Sequence, residues 1–421
     1  MRQRRLGKGG AMAEAVLYVG IDQGEERFQV CVVNQAGIGG EQRAFSYGGD
    51  GIAEAVAWLV SLARGDAERL RVAIETPRGA LVEGLLQAGI AVFSLNPKQL
   101  DRFRDRFTVS GSKDDRLDAR VLSDSLRTDP GAFRRLRLDP EGLTKLRELS
   151  RLEDEIKQEL RRLSNRLRAL LHRYQVELLA LCAAADEPWF WSLVELAPTP
   201  EAGKRLREKR VERLLREYRI RRLRSQDVLA RLRKTPLPVA AGVAEACSEH
   251  VLLLLPRLQL LAQQQQHCQR RLEQLLDELQ GGEVEPHTRE HRDVRILRSL
   301  PGAGRYTVAT MLAEAWEPLA ARAYSVLRAQ SGAAPVTKQS GRVRLVLMRY
   351  GCNRRLRQVV HQWAFNASRQ DPRLNALYRA ERERGHSHSR AMRGVADRLL
   401  KMLTVMLQTG QAYDPARRLV A

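Results

Sequence analysis

The sequence predicts an α/β amino-terminal domain on a mixed sheet, followed by a mostly helical remainder. Three observations carry this. Short β-rich runs alternate with helical stretches through the first ~125 residues. Beyond Leu143, leucines recur every three or four residues with charges between them. After Val294, short apolar runs alternate with turns, as in a compact unit.

Leu17-Tyr18-Val19-Gly20-Ile21-Asp22 reads as a short buried strand ending in an acid. Phe28 to Val33 is a second β-rich run, and Arg43 to Tyr47 a third. Gly51 to Ala63 has helical periodicity, with Ile52, Val56, Leu59 and Val60 on one side. Arg71 to Glu75 is another strand ending in an acid, followed by a helix at Ala80 to Ala88 and a strand at Ala91 to Leu95. A meander first and strand–helix–strand second predicts a mixed sheet covered by helices. Leu149, Leu152, Ile156, Leu160, Leu163, Leu167 and Leu170 then form either a coiled-coil seam or the stripe of a bundle helix. Lys204 to Lys234 is a basic helical stretch, broken by Pro236 and Pro238. A leucine- and glutamine-rich helix runs from about Ser248 to Leu279 and ends at Gly281-Gly282. The expected domains are a basic flexible amino terminus (1–15), a sheet domain (16–130), a basic helical or coiled-coil region (140–285) and a carboxyl-terminal domain (290–421).

The 421 residues suit two or three domains at ~100–200 residues each. Lys plus Arg is 72 against 50 Asp plus Glu, a formal charge of +22 that calls for a polyanionic partner, most commonly a phosphate backbone. No apolar run approaches the ~18–20 residues of a spanning helix, so no membrane partner is expected. The basic start is not followed by an apolar signal core, and Met12 is an alternative start. Five scattered cysteines, never in a CxxC pair, argue against disulfides and thiolate zinc and for a reduced cytoplasm. His386 and His388 read as part of a solvated loop.

Four carboxylates stand out. Asp22 and Glu75 each close a predicted strand, where catalytic groups of such sheets collect. Asp115 and Asp118, three apart in Lys113-Asp-Asp-Arg-Leu-Asp-Ala, share one face of a helix continuing through Leu126. Each alone is also an ordinary turn or surface acid. As a set they would repel unless cations lay between them, and hard oxygen ligands favour magnesium, with manganese possible. Two such ions could activate a nucleophile and steady the leaving oxygen in phosphoryl transfer. Asp114 points about 100° away around the helix.

Val19-Gly-Ile-Asp22, Ala73-Ile-Glu75-Thr and Lys113-Asp-Asp115-Arg-Leu-Asp118-Ala resemble the DEDD motif of the insertion-sequence-110 family of transposases. These are also called bridge-RNA-guided recombinases, and the Piv-type DNA invertases are relatives. The resemblance implies a RuvC-like, RNase H-fold catalytic domain with Asp22, Glu75, Asp115 and Asp118 as metal ligands. The family motif usually has a small polar residue where Asp114 stands, which leaves open whether Asp114 assists the metal.

Further on, Leu297 to Gly304 before an apolar helix (Val308 to Ala315) looks like a helix–hairpin–helix turn, in which Gly302 and Gly304 would let backbone amides approach a phosphate. Gly332-Ala-Ala-Pro335 and Ser340-Gly341 resemble the family's second signature, Gly-x-x-Pro followed by Ser-Gly, although Gly-Leu-x-Pro is more usual. Arg342, Arg344, Arg349, Arg354, Arg355 and Arg357 surround it, a cluster suited to holding phosphates. The resemblance implies Ser340, not Ser331, as a nucleophile forming a phosphoserine link to DNA, in a composite site that meets the acidic domain across protomers. No histidine is placed as an obvious general base.

The family reading further implies donor and target DNA, a structured noncoding guide RNA, and a homodimer assembling to a tetramer on DNA. It implies a bacterial cytoplasmic protein, nucleoid-associated when active. Expected nucleic-acid contacts are Lys113, Arg116, Lys204, Arg205, Arg210, Arg221, Arg222, Arg224, Gly302, Gly304, Lys338, Arg342 and Arg344. The alternatives are a metal-dependent nuclease or junction resolvase with Ser340 structural, and a non-catalytic nucleic-acid-binding scaffold. A sugar-kinase-like ATPase, suggested by Gly-Ile-Asp-x-Gly, lacks a second phosphate loop and does not suit +22.

Overall fold

A computed structural model describes residues 16–106, 114–281, 289–341 and 343–415. The chain divides into two compact units, Met1–Asp139 and Pro140–Ala421.

The first unit is a six-stranded mixed sheet in the order β3-β2-β1-β4-β5-β6. Its strands are β1 (Leu17–Gln23), β2 (Arg27–Val33), β3 (Gly39–Ser46), β4 (Leu70–Ile74), β5 (Ala91–Ser94) and β6 (Arg134–Arg135). β1, β2 and β3 form an antiparallel meander, and β4 and β5 continue it parallel to β1. Helices α1 (Gly49–Leu62), α2 (Ala80–Gln87), α3 (Pro97–Arg104) and α4 (Asp115–Thr128) complete it. The period-2 alternation of the strands divides the core in two. Val19, Ile21, Val72 and Ile74 pack with Leu59 of α1 and with Leu81 and Leu85 of α2. Ala73 instead packs with Val121, Leu122 and Leu126 of α4.

Among the described residues, the second unit is helical apart from one hairpin. It comprises α5 (Glu141–Tyr174), α6 (Pro188–Leu196), α7 (Pro200–Arg205), α8 (Glu208–Glu217), α9 (Ser225–Leu232), α10 (Val243–Gly281), α11 (Arg289–Ser299), α12 (Arg305–Ala320) and α13 (Tyr324–Gln330). The hairpin β7 (Val336–Ser340) and β8 (Val343–Leu347) follows, then α14 (Arg354–Gln370), α15 (Pro372–Glu383) and α16 (His388–Thr409). Ile156, Leu163, Leu167 and Leu170 of the α5 stripe are buried in one core with Leu258 and Leu272 of α10, whereas Leu152 is exposed. An α/β unit followed by a mostly helical one is the layout that the alternating runs and leucine stripes predict.

Two local expectations differ from the structure. Lys204 to Lys234 is three short helices rather than one, because Leu206, Arg207 and Arg224 are extended and Arg219 is left-handed (φ 55°). Those breaks let Val211, Leu214, Val228 and Leu229 all reach the core. Directly after Gly332-Ala-Ala-Pro335, the chain forms a β-hairpin in which Ser340 ends β7 and Gly341 follows with φ +54°. No described helix is long and apolar enough to cross a membrane.

Candidate active site

Asp22 lies one residue before the end of β1, and Glu75 directly follows the end of the parallel neighbour β4. Ile21 of β1 is in register with Ile74 of β4, and each acid follows directly. Asp22 is half-buried, on the same face of β1 as Gly20, two residues earlier. That face is covered by α4 so closely that a Cβ on residue 20 would lie 1.9 Å from the Ala119 carbonyl oxygen and 2.5 Å from the Ser123 amide nitrogen. Only glycine admits this approach, and it fixes α4 over β1. Asp118 is the residue immediately before Ala119.

Within α4 the three acids have different surroundings. Asp114 is the N-cap, its carboxylate accepting the Arg116 amide at 3.2 Å, which satisfies an orphan donor of the first turn. Asp115, the first helical residue, is exposed. Asp118 is 1% exposed and accepts two hydrogen bonds from Arg104 of α3, Nε to Oδ1 at 2.6 Å and Nη2 to Oδ2 at 2.9 Å. The hydrogen bonding to Asp118 raises the Arg104 pKa further, so this cation does not titrate. Bidentate pairing offsets the desolvation of a buried ion pair with two charge-assisted hydrogen bonds. No sequence motif marks Arg104; its signal is only a basic residue one short helix before the Asp-Asp-x-x-Asp run.

Among the described residues, the only three potential ligands whose donor atoms all lie within 4.8 Å of one another are Cys182, Asp186 and Glu187. There Glu187 already accepts Arg222 at 2.5 Å and the Trp189 indole at 2.8 Å. In this conformation Arg104 supplies the positive charge at Asp118. No three of the four motif acids bring donor atoms within 4.8 Å of one another here; what they share is carboxylate chemistry, the donor type that suits a hard divalent cation. Lys113 lies outside the described residues.

Ser340 is the last residue of β7 and pairs with Val343 of β8. Directly opposed residues share a face, so Ser340 and Lys338 lie with Val343 and Leu345 on one side of the hairpin. All four are exposed, Val343 and Leu345 by 57% and 51%. Arg344, opposite Gln339, is exposed on the other side, and residue 342 lies outside the described residues. Arg355, expected among the phosphate-holding arginines, instead binds Asp154 and Glu314 at 2.6 Å each. Gly302 (φ +71°) is pressed against α14, where a Cβ would meet the Ala367 nitrogen at 2.5 Å, and its N–H donates to Gln370 Oε1. Gly304 is the exposed N-cap position of α12.

In the basic lobe of α7 to α9, Lys204, Arg205, Arg210 and Arg221 are exposed without a carboxylate partner among the described residues. Arg222 is tied to Glu187 and lies over the Trp189 ring, and Arg224 forks onto Asp227. Arg116 is exposed beside the acids.

Residues 19–176 match a family described as Transposase, and residues 294–379 match the Transposase IS116/IS110/IS902 family. The mini-circle protein for IS117 of Streptomyces coelicolor is 31% identical over 412 residues, 95% of this chain and 96% of that protein. The chain belongs to the IS110 family of transposases. The y4uE protein of Sinorhizobium fredii is 40% identical over 214 residues, half of this chain and 60% of its own length; it and the IS117 protein both carry transposase in their names. The 43.6 kDa IS110 protein of Streptomyces coelicolor is 26% identical over 332 residues, 78% of each chain. The two family matches contain all four motif acids and Ser340, and membership places the chain among proteins of DNA transposition or recombination.

Proposed function

We propose that this chain is a DNA recombinase that moves its own insertion sequence, using Ser340 as nucleophile and the four acids as a metal site. The observation that carries it is the placement of Asp22 and Glu75 at the ends of adjacent parallel strands, with the helix of Asp118 locked over Gly20. The strand order and mixed pairing support an RNase H-like, RuvC-like reading of the first unit.

The Ser340 oxygen attacks a DNA phosphorus, the new Oγ–P bond forming as the bond to the departing 3′ oxygen breaks. The hydroxyl proton leaves Ser340 and a proton is taken up by the released oxygen. Return attack by a 3′ hydroxyl of another strand rejoins the DNA and frees the serine, so no ATP is needed. Lys338, on the same face as Ser340, supplies positive charge for the phosphate, and Arg344 on the other face meets nucleic-acid backbone. Magnesium, or manganese, held by Asp22, Glu75, Asp115 and Asp118 would supply Lewis-acid stabilisation of phosphoryl-oxygen charge. Asp118, now paired with Arg104, would be one of the residues holding it. The acids and Ser340 act as a composite site between protomers of a dimer that assembles to a tetramer on DNA. The basic lobe and Arg116 hold nucleic-acid backbone, while a noncoding RNA selects donor and target DNA by pairing.

The test combines full-length protein, DNA carrying the element's ends and RNA transcribed from its flanks, in magnesium buffer. Asp22→Asn and Glu75→Gln should abolish strand cutting and leave DNA affinity unchanged. Cutting that persists in both variants would overturn the metal-site assignment.

A further inference from the structure

The hairpin that bears Ser340 is exposed along both strands, yet its two roots are clamped into the core of the second unit. At the root, the Asn353 amide nitrogen donates to the Gln330 carbonyl at 2.9 Å, joining the segment after β8 to the segment before β7. Arg349 Nε donates to the Ala334 carbonyl, and Gly332 (φ +71°) is pressed between the Cys352 thiol and the Arg357 side chain. From this root, Asn353 caps α14 through Oδ1 to the Leu356 amide, while its Nδ2 donates to Glu314 Oε2 at 2.7 Å. Arg355, two residues on, reaches Asp154 Oδ2 and Glu314 Oε1 at 2.6 Å each, and the Ser150 hydroxyl at 2.8 Å.

Asp154 has a second partner. Its Oδ1 accepts the Tyr306 hydroxyl at 2.6 Å, from the first turn of α12, directly after the Pro301-Gly-Ala-Gly304 turn. One carboxylate of α5 thus holds both the start of α12 and the start of α14. Glu314, whose side chain is 9% exposed, also accepts from Arg151 of α5. Buried charges cost desolvation energy that apolar packing avoids, and they enforce one geometry when every partner is satisfied.

We infer that Asp154 and Glu314, acting through Arg355 and Asn353, are positioning residues that aim the Ser340 hairpin. Their hydrogen bonds go to the root and not to Ser340. They fix the root so that the strands project in one direction. The inference rests on the reading of Ser340 as nucleophile only for its kinetic consequence; the fixing of the hairpin stands independently.

Two full-length variants test it. Glu314→Gln keeps the shape of the network but halves its charge at Arg355. Asn353→Ser keeps a capping oxygen for the Leu356 amide and loses the donor to Glu314. Hydrogen exchange, the rate of protein–DNA adduct formation and DNA affinity would be measured for each. The expected result is faster exchange in residues 343–347 with α16 unchanged, DNA affinity unchanged, and an adduct rate lower by on the order of 100-fold, the cost of a reacting group displaced by about 1 Å. Unchanged exchange in the hairpin, or a rate loss that only follows global unfolding or weakened DNA binding, would overturn the proposal. If wild type forms no adduct, the serine reading falls and the exchange data alone decide the clamp.

Discussion

The carbonyl oxygen of Ala119 occupies the space in which residue 20 would carry a Cβ, 1.9 Å from that position. This close approach places the acid-bearing turn of α4 against β1, the strand that carries Asp22. Ser123 and Leu122 crowd the same point, so the helix cannot slide to make room. Gly20→Ala should therefore destabilise the first unit by about 3 kcal/mol or more. Thermal unfolding followed by circular dichroism checks this, and a midpoint equal to that of wild type would contradict it.

Arg104 and Asp118 make a second sharp prediction. Removing the guanidinium leaves a carboxylate that is 1% exposed without its charge partner, at a cost of ~3 kcal/mol. On the proposed metal reading, magnesium can replace the lost charge. Arg104→Gln should then lower the unfolding midpoint in chelator and recover much of it on adding magnesium, by more than wild type gains. Equal magnesium shifts in both proteins would argue that Asp118 does not ligate the ion.

The pH response of the second unit follows from its paired acids. Burial opposes ionisation of Glu314, but the Asn353 hydrogen bond and the Arg151 and Arg355 charges outweigh it, holding the pKa below the usual 4.5. Asp371 is also lowered, burial being outweighed by the Tyr413 hydroxyl and the Arg373 and Leu374 amides. Depressed folded-state values mean that the unfolded chain binds protons first. The stabilisation is complete above the ordinary carboxylate range and drains away as pH falls through the lowered values. Thermal midpoints should thus fall steeply below about pH 4.5, with a shallower limb in Glu314→Gln. Parallel limbs in the two proteins would refute this assignment.

The basic lobe should act through charge and not through base identity. Replacing Lys204, Arg205, Arg210 and Arg221 together with alanine should weaken binding to all duplexes. It should also lower the slope of log affinity against log salt by ~0.9 for each phosphate that is no longer neutralised. Arg224→Ala, already paired to Asp227, should change that slope little. Anisotropy titrations at several salt concentrations measure both. A sequence-selective loss would contradict the backbone role.

Much of this architecture was legible from local pattern. Valine-rich runs ending at Asp22 and Glu75 specify strands because both faces of the β1–β4 pair are buried, by α1 and α2 on one side and α4 on the other. The leucine stripe of α5 specified a helix but left its partner open; the structure supplies α10 of the same chain. The basic stretch misled as one helix because its apolar spacing stays near 3.6, while the left-handed Arg219 has no local signal. Ser340-Gly341 was legible as a motif, but the hairpin around it was not, since Val343, Leu345, Val346 and Leu347 are exposed and give no alternating burial signal. Arg104 and the Asp154–Arg355–Glu314 network were hidden for a different reason. Their partners are separated by 14, 201 and 41 residues, and only folding brings them together.

The central claim is that Ser340 becomes covalently attached to DNA. The most direct measurement traps the reaction of full-length protein, DNA ends and flank-derived RNA in magnesium buffer, digests the protein and DNA, and maps the nucleotide-bearing peptide by mass spectrometry. The account predicts one modified peptide, spanning Ser340, that disappears in Ser340→Ala and in Asp22→Asn. Metal-dependent cutting that survives Ser340→Ala with no modified peptide would contradict it and leave a nuclease acting through the four acids alone.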